Sequence, residues 1–68
     1  MNMDIFKGRW LDLKGTVKQV WSRLTDDDLM YISGSWDRLI GKLEERYGYT
    51  REQAEEEAKQ HISQEAHH

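Results

Sequence analysis

Sixty-eight residues suffice for one domain, close to the lower limit for chains that fold without staples. There is no cysteine, which excludes disulfides and thiolate metal sites and leaves apolar packing, with three tryptophans as its largest pieces, to supply stability. The net charge of −3 is uneven: residues 1–24 carry five basic and two acidic residues, and residues 25–68 carry five basic and eleven acidic ones. That polarity suits attraction between the halves of the fold, self-association, a basic partner, or an anion at the N-terminal third.

Met1-Asn2-Met3-Asp4 lacks the charged-then-apolar pattern of a signal peptide. No apolar run approaches the roughly 20 residues of a membrane span, so a cytoplasmic address is expected. Phe6, Trp10, Leu13, Val17, Val20 (with Trp21) and Leu24 recur at spacings of four and three, a single helical stripe. Lys7, Lys14 and Lys18, with Arg9 close by, add a basic stripe that could neutralise phosphates weakly against the acidity of the rest of the chain. Gly8 and Gly15 lack the strand-then-helix context of a phosphate loop.

Thr25-Asp26-Asp27-Asp28 reads as a helix start, with a hydroxyl cap and three carboxylates at the positive end of the dipole. Asp28 replaces the usual Glu, so the capping box is expected to be imperfect. A calcium loop would need alternating ligands, a glycine and a distal glutamate, which are missing. Leu29, Ile32, Trp36, Leu39, Leu43 and Tyr47 form a second stripe. Gly15 and Gly34 fall within the stripes and are expected to bend them into shorter helices. Gly48 marks a helix stop with positive φ. Thr50-Arg51-Glu52-Gln53 repeats the capping pattern. Ala54, Ala58 and Ile62 make a third stripe, weak enough that shallow burial is expected. Glu52, Glu55, Glu56 and Glu57 with Lys59 read as a solvated face.

The first two stripes are related. Gly8-x-Trp10-x-x-Leu13-x-Gly15-x-Val17-x-x-x-Trp21 matches Gly34-x-Trp36-x-x-Leu39-x-Gly41-x-Leu43-x-x-x-Tyr47. Two related helical hairpins packed across one another fit this pattern; two copies are too few for a solenoid. The core is expected to gather Trp10, Leu13, Val17, Trp21, Leu24, Leu29, Ile32, Leu39, Leu43 and Tyr47.

No catalytic, cofactor-binding or metal-ligating residue is assigned. Ser22, Ser33, Ser35 and Ser63 have no histidine partner in view, since His61, His67 and His68 all lie in the C-terminal stretch. Glu57 and His61, one turn apart, read as a solvated contact, because two ligands do not make a metal site. His67-His68 reads either as native sequence or as the stub of an affinity tag.

The segments Trp10-x-x-Leu13-Lys14-Gly15-x-Val17-Lys18, Trp21-Ser22-Arg23-Leu24-Thr25-Asp26-Asp27-Asp28-Leu29 and Asp37-Arg38-Leu39-Ile40-Gly41-Lys42-Leu43-Glu44-Glu45-Arg46-Tyr47-Gly48-Tyr49 resemble the CsbD-like family of bacterial stress-response proteins. The likeness runs in register from residue 2 to residue 58. It implies a small cytoplasmic protein of the general stress response and carries over no catalytic residue, cofactor or ligand; with no acid–base pair or nucleophile in view, a non-enzymatic role is expected. It also implies four or five short helices in two roughly orthogonal hairpins, similar to the sterile-alpha-motif class. One domain over residues 1–60 is expected, with a frayed tail over 61–68. An adaptor or weak nucleic-acid-binding module using the basic N-terminal helix is the alternative. Leu11, Val20 and Trp36 stand where the family is expected to carry polar or charged residues. Trp36 is therefore expected to be partly exposed and to join an apolar patch that could support a weak homodimer.

Overall fold

The computed structural model describes residues 3–66, with side chains described for residues 4–62. Five helices account for the described chain: α1 (Met3–Gly8), α2 (Trp10–Val20), α3 (Asp26–Ile32), α4 (Trp36–Tyr47) and α5 (Arg51–Ala66), with no strand among the described residues. The all-α class expected from the periodicity is the class observed.

Both long stripes break, at places set by local chemistry. The first breaks at Arg9, whose φ of −106° and ψ of 15° leave the helical region. Arg9 still donates to the Ile5 carbonyl at 3.0 Å, and its own carbonyl accepts from Leu13 at 2.9 Å, so the junction is a bend and not a loop. Gly15, where a bend was expected, lies undisturbed inside α2. The second stripe breaks where expected, at Ser33-Gly34, both with positive φ (42° and 81°). A Cβ on Gly34 would stand 3.3 Å from the Lys7 Cα and 3.4 Å from the Trp10 Cβ. Glycine is thus required there twice, for its dihedral angle and for the close approach of the α1–α2 bend.

Capping fixes the other boundaries. The Thr25 hydroxyl accepts from the Asp28 N–H at 3.1 Å, and the Asp28 carboxylate accepts from the Thr25 N–H at 3.0 Å. The capping box expected to be imperfect is complete, because Asp28 turns back far enough to reach the cap residue. Ser35 caps α4, accepting from the Arg38 N–H at 3.4 Å. Gly48, at φ 70°, ends that helix as the sequence predicts. Thr50 and Gln53 form a second reciprocal box at the start of α5, at 3.0 and 3.1 Å.

The core contains Leu13, Val17, Trp21, Leu24, Leu29, Ile32, Leu39 and Leu43 as predicted, joined by Phe6, Ile40, Ala54, Ala58 and Ile62. Trp10 and Tyr47, expected inside, are half-buried at its edge, beside Val20, Trp36 and Tyr49. Ala54, Ala58 and Ile62 are fully buried, not shallow. Their stripe is narrow because α4 packs along α5, and small alanines let the two backbones come close. The helix continues through Ala66, past residue 60, where the domain was expected to end. His67 and His68 lie outside the described residues.

Phe6 ties the repeat together. Its ring lies 5.5 Å from Trp10 and 5.4 Å from Trp36, tilted against the first and edge-on to the second. Equivalent tryptophans of the two copies thus close on one phenylalanine, an arrangement worth more than area burial alone. Trp21 is buried edge-on to His61 at 5.5 Å.

Candidate functional site

The residues singled out in the sequence do not converge on one centre. Asp26, Asp27 and Asp28 diverge: Asp26 pairs with Lys18 across the α2–α3 corner, Asp27 is exposed, and Asp28 turns inward. The Lys18 ammonium holds the Asp26 carboxyl below its ordinary value by hydrogen bonding and charge. Among the described residues no group of three or more His, Cys, Asp or Glu could hold a metal. Glu57 and His61 approach to 3.9 Å on the surface of α5. The basic stripe is split by the bend at Arg9. Lys7 stands beside Gly34, Trp36 and Asp4, while Lys14 and Lys18 line the space between α2 and α3.

Asp28 is the one buried charged side chain among the described residues. Arg46 grips it bidentately, Nε to Oδ2 and Nη2 to Oδ1, both at 2.9 Å, and Lys42 lies 3.4 Å away. The bound Arg46 guanidinium holds the Asp28 carboxyl far below the usual carboxylate range, against burial, with the Thr25 N–H and Lys42 assisting. All of its acceptor capacity is used within the chain. This node clamps the start of α3 to the end of α4 and leaves nothing for a ligand.

Two grooves flank α3, and each is floored by a glycine of the repeat. Between α3 and α4, Gly41 lies in a groove of about 310 Å³ with Tyr31, Arg38 and Lys42. The Arg38 guanidinium and the Lys42 ammonium sit over the Tyr31 ring at 4.9 and 5.1 Å. Arg38 also donates to the Tyr31 carbonyl at 3.0 Å, and Lys42 to Glu45 at 3.1 Å. Arg38 and Lys42 thus gather on the Tyr31 wall of this groove.

Between α2 and α3 the counterpart is larger. Trp10, Leu11, Gly15 and Met30 line a groove of about 520 Å³, with Lys14 and the paired Lys18 and Asp26 along one edge. Leu11 and Met30 are 81% and 77% exposed, the highest values among the large apolar side chains described. A Cβ on Gly15 would meet nothing within 4 Å, so packing does not demand glycine, and its presence costs α2 about 1 kcal/mol relative to alanine. Lys14 makes no ion pair among the described residues.

Sequence reasoning reached Leu11 and Gly15 for other reasons and passed over Met30. The available signal was subtraction: Leu11 and Met30 are apolar residues that the stripes leave over. Trp36, half-buried against Phe6, has Asp4, Lys7, Asp37 and Arg38 around it. Among the described residues the large exposed apolar side chains are instead Ile5, Leu11, Met30 and Tyr31.

The model of the CsbD-like family matches residues 4–56. The UPF0337 protein YjbJ of Escherichia coli K12 is 53% identical over 57 residues, covering 84% of this chain and 83% of that protein. The UPF0337 protein PA4738 of Pseudomonas aeruginosa is 49% identical over 59 residues, covering 87% and 91%. The UPF0337 protein ECA0631 of Pectobacterium atrosepticum is 51% identical over 59 residues, covering 87% and 86%. No solved structure matches the chain.

Proposed function

The chain belongs to the CsbD-like family, and from that premise we propose that it is a non-enzymatic, cytoplasmic protein of the bacterial general stress response that acts by binding through its surface. The observation that carries the reading is the pairing of family membership with an open, apolar groove between α2 and α3. The titratable side chains near that groove are spread along an exposed edge, where general acid–base chemistry would have no dry pocket to work in. No described helix is long and apolar enough to cross a membrane.

Nucleic-acid binding through the N-terminal helices is the weaker alternative. Lys7 is turned away from Lys14 and Lys18, and Lys18 is engaged with Asp26. A phosphate backbone would meet one free lysine beside exposed leucine and methionine. Deleting the gene in its source organism tests the proposal. Survival of osmotic, oxidative and stationary-phase challenge should fall, and the wild-type gene should restore it. Unchanged survival under all three would refute a stress role. Retention on heparin at physiological salt would shift the reading to the nucleic-acid alternative.

A further inference from the structure

We propose that α1 is a strap that opens as a unit about Arg9 and, on opening, uncovers an aromatic surface formed by Phe6, Trp10 and Trp36. This goes beyond the surface-binding reading above and does not rest on it.

α1 has six residues, too few to hold a helix without tertiary contacts. Its attachment is narrow. Phe6 is completely buried, while Asp4, Ile5, Lys7 and Gly8 around it are exposed. The Phe6 ring is packed against both Trp10 and Trp36. The rest of the buried core comes from residue 13 onward, so opening removes a single member from it. Beside the strap runs a groove of about 520 Å³, lined by Asp4 and Lys7 of α1 and by Ser33, Ser35 and Trp36 at the α3–α4 junction.

The joint leaves α2 independent of the strap. Arg9 is exposed, lies outside the helical region and caps α2 without a side-chain hydrogen bond. Leu13 donates to the Arg9 carbonyl, on the α2 side of the joint, so the first turn of α2 persists whether or not α1 is docked. The bond from the Arg9 N–H to the Ile5 carbonyl belongs to α1 and is lost with it. Undocking and melting are one event, because six residues do not stay helical alone. The closed position is nevertheless specific. Gly34 lets the Lys7 backbone approach so closely that a Cβ there would stand 3.3 Å from the Lys7 Cα. A defined seat and one apolar anchor place α1 at the low end of local stability within the fold.

Amide hydrogen exchange on the full chain, labelled with ¹⁵N, tests the proposal. The Lys7, Gly8 and Arg9 amides report on α1. They should share one opening equilibrium, protected at least about tenfold over a free peptide yet exchanging at least about 100-fold faster than the Leu43 amide. Urea at about 1 M should accelerate Leu43 and leave these three nearly unchanged, since little surface is exposed when α1 opens. Phe6→Ala should abolish protection at all three and shift the indole N–H signals of Trp10 and Trp36, with Leu43 still protected at least about 100-fold. Four results would each overturn the strap. One is exchange at Lys7 to Arg9 with the rate and urea dependence of Leu43, which would make α1 part of the global unit. Another is exchange at free-peptide rates, which would mean that α1 does not dock. A third is protection that rises steadily from Lys7 to Arg9, the signature of end fraying. The last is a Phe6→Ala variant that unfolds throughout or keeps α1 protected, since Phe6 would then not be its single anchor.

Discussion

Trp21 and Tyr47 end the two copies of one sequence pattern, yet they meet different surroundings. Trp21 is 2% exposed, and its indole N–H finds no hydrogen-bond partner among the described residues. Tyr47 is half-buried, stacked on Tyr49 at 5.4 Å, and its hydroxyl accepts from the Arg23 N–H at 3.1 Å. The contrast continues along both helices. Gly8 ends a helix in open space, whereas its match Gly34 has positive φ and is crowded by the other copy. Lys14 is exposed where Ile40 is buried, and Leu11 is exposed where Asp37 takes an ion pair from Arg51 at 2.8 Å. α4 is flanked by α3 and α5 and uses most of its surface internally, while α2 is left with one free face. A shared stripe specifies a helix and one buried side; its neighbours in space decide what the other sides do.

Truncating the matched aromatics should show this asymmetry most strongly. Trp21→Ala should cost about 3–5 kcal/mol, which would leave a domain of this size largely unfolded at 37 °C. Tyr47→Ala should cost about 2 kcal/mol, because its ring is only partly buried. Chemical denaturation of both variants measures the gap, and equal losses would erase the distinction.

The Asp28 node should come next. Asp28→Asn keeps an acceptor for the Thr25 cap but gives up the charged pair with Arg46, at a cost of about 1.5–3 kcal/mol near pH 7. The folded-state carboxyl titrates below its unfolded value. Its stabilisation is therefore complete above the unfolded pKa of about 3.9 and is lost as pH falls further toward the folded value. Melting curves of wild type and variant should stay separated above about pH 4 and converge below it. A gap that does not vary with pH would show that the carboxylate charge contributes nothing.

The glycines offer a smaller test with opposite signs. Gly34→Ala should destabilise by about 1–2 kcal/mol, through positive φ and the 3.3 Å approach to Lys7. Gly8→Ala and Gly15→Ala should stabilise by up to about 1 kcal/mol, since both added methyl groups point into open space. Calorimetry on the three variants checks the signs, and a destabilising Gly15→Ala would mean that the groove floor is not open.

Much of this protein was fixed by local rules. Spacings of three and four determined the helices. Thr25, Thr50 and Gly48 determined three helix ends, and the absence of cysteine excluded disulfides. These features depend on residues a few positions apart, so they are legible in sequence. Tertiary structure alone decided that the first stripe bends at Arg9 instead of Gly15, because the bend must seat on Gly34. It also decided that Ala54, Ala58 and Ile62 are core, because burial of a weak stripe depends on how closely α4 approaches. The same holds for Asp28: its capping role could be read locally, but the grip of Arg46 comes from 18 residues away. The α2–α3 groove is the furthest from sequence of all. It depends on how α3 sits beside α2, which only the packing of the helices determines.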